Sequence, residues 1–231
     1  MLSHLGQDLR YYPILSPDFV YIDDLLLIYM PIILSFLLNL APSSYVDIGI
    51  IYGSTGSKAE VQFSSQKLFI MSLLRHLDIS PKAAQIGFIP LSQQPVANLP
   101  FSGNVGSATI NSLVNQAKNG FDLVKTLETM KDYLLNEKSN KSLGARKFAR
   151  KVIILFLDKE SSSSLPSLVN GMNDLANAGI KVIVVTTGNS YDEIEVSVVP
   201  GNDKFHAQDE DDLITFVDDV YHAIFRGQYC L

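Results

Sequence analysis

The chain is short of charge. Only 18% of its 231 residues are Asp, Glu, Lys or Arg, against roughly 25% in an average soluble domain. Cysteine is nearly absent: Cys230 is the single one, which excludes an intramolecular disulfide framework and a cysteine-rich zinc site. Positive charge is in deficit as well. The formal net charge of −6 argues against a general nucleic-acid binder. Two phosphate-binding patterns are missing. No G-x-G-x-x-G follows a strand-like run, and Gly56-Ser-Lys58 lacks the G-K-[S/T] order because Ala59 follows the lysine. The hydrophobic content of 47% excludes disorder as the global state.

What is present begins with an apolar run. Residues 25–41 read LLLIYMPIILSFLLNLA; 14 of the 17 are apolar and none is charged. That is the short end for a membrane span. Ala41-Pro42-Ser43-Ser44 follows and suits a signal-peptidase site with Ala41 at −3 and Ser43 at −1. The preceding stretch has Arg10 as its only basic residue beside Asp18, Asp23 and Asp24, and Met30 offers a second start. Residues 1–43 are therefore expected to be an N-terminal extension: a signal peptide, with a retained membrane anchor as the alternative, and a buried helix or gene-model artefact as the third reading. The corresponding locations are secreted or extracellular, membrane-anchored, and intracellular. Residues 227–231 are read as a C-terminal tail.

The remainder alternates strands and helices. Val46–Tyr52, Gln85–Ile89, Lys151–Leu157 and Ile180–Thr187 are short apolar runs suited to buried strands; Pro95–Leu99 and Lys204–His206 are weaker ones. Helices are expected over Ala59–Leu77, where Phe63, Ile70, Leu73 and Leu77 share a face, over a short stretch from Ile110 to Ala117, from Leu123 to Leu134, and from Pro166 to Ala178. Gly188–Val199 reads as a short helix or turn. A last helix carries Leu213, Phe216, Val217, Val220 and Ile224, with Asp209, Glu210, Asp211 and Asp212 at its N-terminus, where negative charge suits the dipole. Continuous apolar strands between amphipathic helices mean one α/β domain over residues 44–226, a doubly wound, mostly parallel sheet covered by helices on both faces. Its ligand edge is the carboxyl end of the strands.

Asp47-Ile-Gly-Ile-Ile-Tyr-Gly-Ser-Thr-Gly-Ser57, the long helix ending Leu77-Asp78-Ile79-Ser80-Pro81, Gln85-Ile-Gly-Phe-Ile89, Lys151–Asp158, Asn177-Ala-Gly-Ile-Lys-Val-Ile-Val-Val185 and Lys204-Phe-His206 stand in the order of a von Willebrand factor type A domain. The chain resembles that family over about 46–226. The resemblance implies a non-enzymatic interaction or adhesion domain with a protein ligand at the matrix or cell surface. The family's adhesive members hold Mg²⁺ or Mn²⁺ at the sheet's carboxyl edge through a D-x-S-x-S loop, a threonine and a later aspartate, as hard cations require. Carried over by resemblance, that set falls on Tyr52, Ser54, Gly56, Phe121 and Asp158, with Ser57 beside Gly56. Only Ser54 and Asp158 keep the family's residue type. No metal cofactor is therefore expected, and the positions read as a vestigial site. Asp47 is too far away to substitute, roughly 16 Å up the strand at ~3.3 Å per residue.

Three further features carry alternatives. Tyr52-Gly-Ser-Thr-Gly56 comes near the G-x-S-x-G elbow, and Asp203-Lys-Phe-His206 has a D-x-x-H spacing. Together they allow a GDSL-like serine ester hydrolase with Ser54 as nucleophile, Asp203 as orienter and His206 as base. Lys138, Lys141, Arg146, Lys147, Arg150 and Lys151 cluster in an otherwise acidic chain and could bind a sulfated glycan or an acidic partner; a solvated loop is the plainer reading. In a secreted protein the lone Cys230 points to an intermolecular disulfide or to a chain cut from a longer one, with an unremarkable free thiol at a frayed end as the other reading.

Overall fold

The strand-like runs pair as their apolar content requires. The computed structural model describes residues 45–96, 99–117, 120–135, 145–158, 164–188, 196–201 and 203–226, all within the second of two compact units, residues 42–231. The apolar run 25–41, Lys138, Lys141, Asn119 and Cys230 lie outside the described residues.

Strands β1 (Val46–Tyr52), β2 (Ala84–Pro90), β3 (Leu99–Ser102), β4 (Arg150–Leu157), β5 (Ile180–Thr187) and β6 (Lys204–Ala207) form one sheet in the order β3-β2-β1-β4-β5-β6. All neighbours are parallel except β2 and β3. The chain winds outward from β1 in one direction, then restarts at β4 and winds in the other. The reversal between β1 and β4 is the topological switch point. Helices α1 (Ala59–His76), α2 (Ser107–Asn111), α3 (Leu123–Leu135), α4 (Leu165–Asn177) and α5 (Val217–Phe225) complete the fold, with a 3₁₀ turn at Asp212–Phe216 leading into α5.

Side chains alternate across the pleat. Ile48, Ile50 and Tyr52 of β1 join Phe63, Phe69, Ile70 and Leu73 of α1 and Val220 and Ile224 of α5 in one core. Ile51 joins Leu127 and Met130 of α3 and Leu168 and Met172 of α4 in the other. Two strand glycines admit large neighbours rather than a special backbone. A Cβ on Gly49 would stand 2.3 Å from Met130 Sδ, and one on Gly87 would stand 3.0 Å from the Phe101 ring.

Three elements differ from the sequence expectation. The edge strand is Leu99–Ser102 rather than Pro95–Leu99 and runs antiparallel. Its anchor is Phe101 over Gly87, and Pro100 is tolerated because an edge strand has a side without ladder bonds. The short helix is Ser107–Asn111 rather than Ile110–Ala117. Asn115 is withheld from it because its carboxamide serves Ser54 instead. The last helix starts as a 3₁₀ turn, and only Val217–Phe225 is α-helical.

At the amino edge, the foot of β1 holds a buried charge. Asp47 has no exposed surface. Its Oδ1 accepts from Arg146 Nε at 2.9 Å and Nη2 at 2.7 Å, and its Oδ2 from Arg146 N at 2.6 Å and Lys151 Nζ at 2.7 Å. Arg146 also donates to the carbonyls of Val46 (2.9 Å), Pro81 (3.0 Å) and Ala83 (2.8 Å). This corrects the basic-patch reading: Arg146 and Lys151 are internal counter-ions, and Arg150 is tied to the Arg226 carbonyl at 2.7 Å. Burial pulls the Arg150 guanidinium below its ordinary value, while the Asp203 carboxylate pulls it back up. Removing one partner of a buried pair strands the other charge, which typically costs ~3–5 kcal/mol. Lys151→Met leaves the Arg146 pair on Asp47 and should therefore cost less, about 2 kcal/mol of unfolding free energy in urea denaturation, whereas Lys147→Met, at an exposed side chain, should leave the midpoint unchanged.

Candidate functional site

Two of the residues singled out by sequence, Ser54 and Asp158, meet at the switch point. Ile51 of β1 lies level with Leu155 of β4, so three residues further on Ser54 stands opposite Asp158. Both are buried. Ser54 Oγ donates to Asp158 Oδ2 and lies 2.8 Å from Gln62 Oε1 of α1. Thr55 N donates to the same Asp158 oxygen at 3.0 Å. The two loops are thus joined by a hydroxyl and an amide on one carboxylate, charge-assisted bonds of the stronger kind.

Two carboxamides that the sequence reading did not single out hold the β1 loop from either side. Gln66 of α1 accepts from Gly53 N and donates to Gly53 O, both at 3.0 Å. Asn115 accepts from Ser54 N at 3.1 Å and donates to Ser54 O at 2.9 Å. Each satisfies a buried peptide that has left the sheet ladder. Gly53 sits at φ +141°, and a Cβ there would meet Ala117 at 3.1 Å and Leu91 at 3.2 Å, so a side chain at this position is both strained and crowded. One signal for Gln66 was available: it interrupts the apolar stripe of α1 between Phe63 and Ile70. Asn115 had none, because its partner is 61 residues away.

Outside this linkage lies an open cleft of about 330 Å³ lined by Thr55, Gly56, Ser57, Lys58, Gln62, Asp158, Gly188, Gln208, Asp209 and Glu210. Lys58 reaches Glu210 across its rim at 3.7 Å. Tyr52 ends β1 at this edge, but its side chain does not line the cleft. Its ring is buried, stacked on Phe63 at 5.8 Å between centroids and edge-on to Phe88 at 6.3 Å. Phe121 is buried in the opposite core with Leu123 and Leu127.

The hydrolase arrangement is not assembled. Asp203 pairs with Lys181 at 2.7 Å and Arg226 at 3.1 Å. His206 contacts Thr186 Oγ1 at 3.0 Å. His206 stands on β6, three strands from β1, or about 14 Å at ~4.8 Å per strand. Ser54 already gives its proton to Asp158.

A model of the von Willebrand factor type A domain matches residues 47–219. The chain belongs to the von Willebrand factor type A family. Among curated proteins of the family it is similar to matrilin-1 of Homo sapiens and of Bos taurus, 27% identical over 151 residues in each case. The match covers 65% of this chain but only 30% and 27% of those relatives, so the chain spans under a third of their length. Among solved structures its fold is similar to proximal thread matrix protein 1 of the mussel byssus (TM-score 0.66, 18% identity, 77% of this chain and 47% of that one), which has also been solved with a zinc-occupied MIDAS motif. It is likewise similar to manganese-loaded TRAP protein of Plasmodium vivax (TM-score 0.61, 11% identity, 78% of this chain and 74% of that one).

The type A side chains of this chain do not make a comparable cage. Tyr52 and Phe121 point into the two cores, Gly56 has no side chain, and Ser57 is exposed. What remains is one carboxylate and one hydroxyl bonded to each other. Hard dications take about six oxygens in near-octahedral array. Among the described residues no three Asp, Glu, His or Cys side chains gather as metal ligands.

Since Gln66 satisfies both polar groups of the buried Gly53 peptide, Gln66→Leu should cost about 2 kcal/mol of stability. Gln62→Leu, which spares that peptide, should cost well under half as much. Paired urea titrations check the ordering. Ser54 should also stay unlabelled by a fluorophosphonate probe under conditions that label an authentic serine esterase; labelling would revive the hydrolase.

Proposed function

We propose that this chain is a non-enzymatic protein-binding domain of the extracellular matrix or cell surface, that it engages its ligand without a metal ion, and that residues 44–226 are the binding domain. The single observation that carries the metal-independent reading is the placement of Tyr52 and Phe121. Two positions where the family supplies oxygen ligands are filled by aromatic side chains packed into opposite cores. A serine, an amide and Asp158 close the remaining gap by direct hydrogen bonds. The loops are therefore held in place by the protein itself, and the cleft outside them is left for protein contacts.

The matrix setting is supported by membership of the type A family and by similarity to matrilin-1 and to a byssal thread matrix protein. No helix among the described residues is long and apolar enough to cross a membrane. Residues 1–43 remain proposed as a signal peptide, and Cys230 as a site of pairing to another chain.

Thermal unfolding with added Mg²⁺ or Mn²⁺ tests the metal reading. A site with a dissociation constant of ~1 mM would add about 1.4 kcal/mol at tenfold excess of ion, a rise of roughly 3–5 °C for a domain of this size. The expected result is no rise with either ion. A rise that disappears in Asp158→Ala would overturn metal independence.

A further inference from the structure

The exposed charges of the sheet are sorted by edge. At the amino edge, Arg75, Lys82, Lys147, Arg150 and Arg226 face solvent wholly or in part, against Asp78 and against Asp203, which is bridged to Arg226 and Lys181; the Asp47 cluster adds one net positive charge beneath them. At the carboxyl edge stand Asp209, Glu210, Asp211 and Asp212, with Lys58 already drawn to Glu210. The two edges are separated by the length of the strands, about 23 Å for seven residues at ~3.3 Å each.

The basic edge also carries a projecting aromatic. Phe148 is 66% exposed, the most exposed large apolar side chain among the described residues. It sits on a rigid turn. Ala149 N bonds back to Arg146 O at 3.2 Å, and Arg146 N is fixed by Asp47. Lys151 Nζ donates to Arg146 O. The Phe148 ring meets Tyr45 edge-on at 5.0 Å, and the Arg146 guanidinium lies 5.1 Å over the Tyr45 ring. A knob on a backbone tied down in this way loses less entropy on docking than one on a free loop. The acidic edge carries the open cleft of about 330 Å³ with Asp209 and Glu210 on its rim, which is at the lower end of pocket sizes that take a ligand group.

We propose that the Lys147-Phe148 turn of one copy docks at the Asp209–Glu210 rim of the cleft on the next, so that copies of this chain associate head to tail along the strand direction. The contact joins two different faces of the same molecule. It is heterologous and leaves a free knob at one end and a free cleft at the other, so it propagates instead of closing at a dimer. Charge complementarity selects the occupant: the basic turn meets an acidic edge on a second copy, and like edges repel. This goes beyond the binding role proposed above and does not depend on it.

Sedimentation velocity of the whole 231-residue chain decides the matter. The weight-average mass should rise with protein concentration at low salt, and the rise should weaken by about tenfold or more in apparent affinity at several hundred millimolar salt. Lys147→Glu with Phe148→Ser, and separately Glu210→Lys with Asp211→Lys, should each abolish it while the circular dichroism spectrum stays that of the parent. Lys147→Glu alone, which leaves the Tyr45 contact in place, should weaken it in the same direction. Each double variant keeps one working face. Mixing the two should therefore restore a complex of two chains and no larger species. A monomer at high micromolar concentration in low salt overturns the proposal. So does association that survives both double variants or strengthens with salt, which would assign it to another surface such as the apolar run 25–41. A mixture that restores nothing excludes the head-to-tail geometry. Retention on heparin above physiological salt without self-association would give the basic edge to a sulfated glycan instead.

Discussion

The structure depends on the carboxylate of Asp47. A charge with no exposed surface is unfavourable unless it is paired and fully hydrogen-bonded. Here a guanidinium, an ammonium and a backbone amide meet that demand together. The pairing also fixes geometry. Asp47 stands opposite Lys151 in the β1–β4 ladder, so their bond locks the register of the two strands that flank the switch point. A slip of one residue would turn every side chain of β1 to the wrong face. It would also carry Ser54 away from Asp158 at the far end. The ion cluster at the amino edge and the hydrogen bonds at the carboxyl edge are two ends of one alignment. The first joins buried charges of both signs; the second is built from neutral donors on a single acid.

At the carboxyl edge the dominant requirement is to satisfy backbone that has left the sheet. Gly53 and Ser54 are buried, yet they lie beyond the last ladder bond of β1. Gln66 from the helix side and Asn115 from the loop side supply the missing donors and acceptors. An amide side chain mimics the peptide group it replaces, offering one acceptor and a donor in the same plane. This fixes the loop in a shape held by two carboxamides. It also explains the loss of Asn115 from the neighbouring helix, because one side chain cannot both continue an α-helical turn outward and reach inward to Ser54.

How far the sequence exposed this depends on whether a residue's partner is near or far. The four long apolar strands were legible because burial on both faces leaves no alternation to read, and their order with α1 carried the family. Tyr52, Ser54, Gly56 and Asp158 fall at strand ends that the apolar runs mark out, and Ser54 and Asp158 do meet. The edge strand β3 was misplaced because four residues with a proline carry no period. The ion cluster was misread as a surface patch for a more instructive reason. Lys151 and Arg146 were judged by their basic neighbours, whereas each is defined by Asp47, about a hundred residues away. The signal was the symmetry of two apolar strands that each open with a charge of opposite sign, Asp47 before Ile-Gly-Ile-Ile and Lys151 before Val-Ile-Ile-Leu. Parallel strands in register place such charges together.

Correcting that misreading alters the meaning of the charge that is left over. Once Arg146 and Lys151 are assigned inward, the amino edge keeps a smaller set of solvent-facing cations, and the net charge of −6 ceases to describe the surface. A molecule can be acidic as a whole and still present a basic end, because at physiological salt a charge is felt over only about 8 Å, far less than the length of the strands. Each edge then acts on a partner through its own local sign. The same buried cluster that sets the β1–β4 register also stiffens the turn bearing Phe148, and the same register sets the cleft at the opposite end. Both faces are consequences of one alignment, and their separation is the strand length itself. An interface built from them is therefore coupled to the fold: loosening Asp47 from its counter-ions would free the Lys147-Phe148 turn and blur the carboxyl edge in one step.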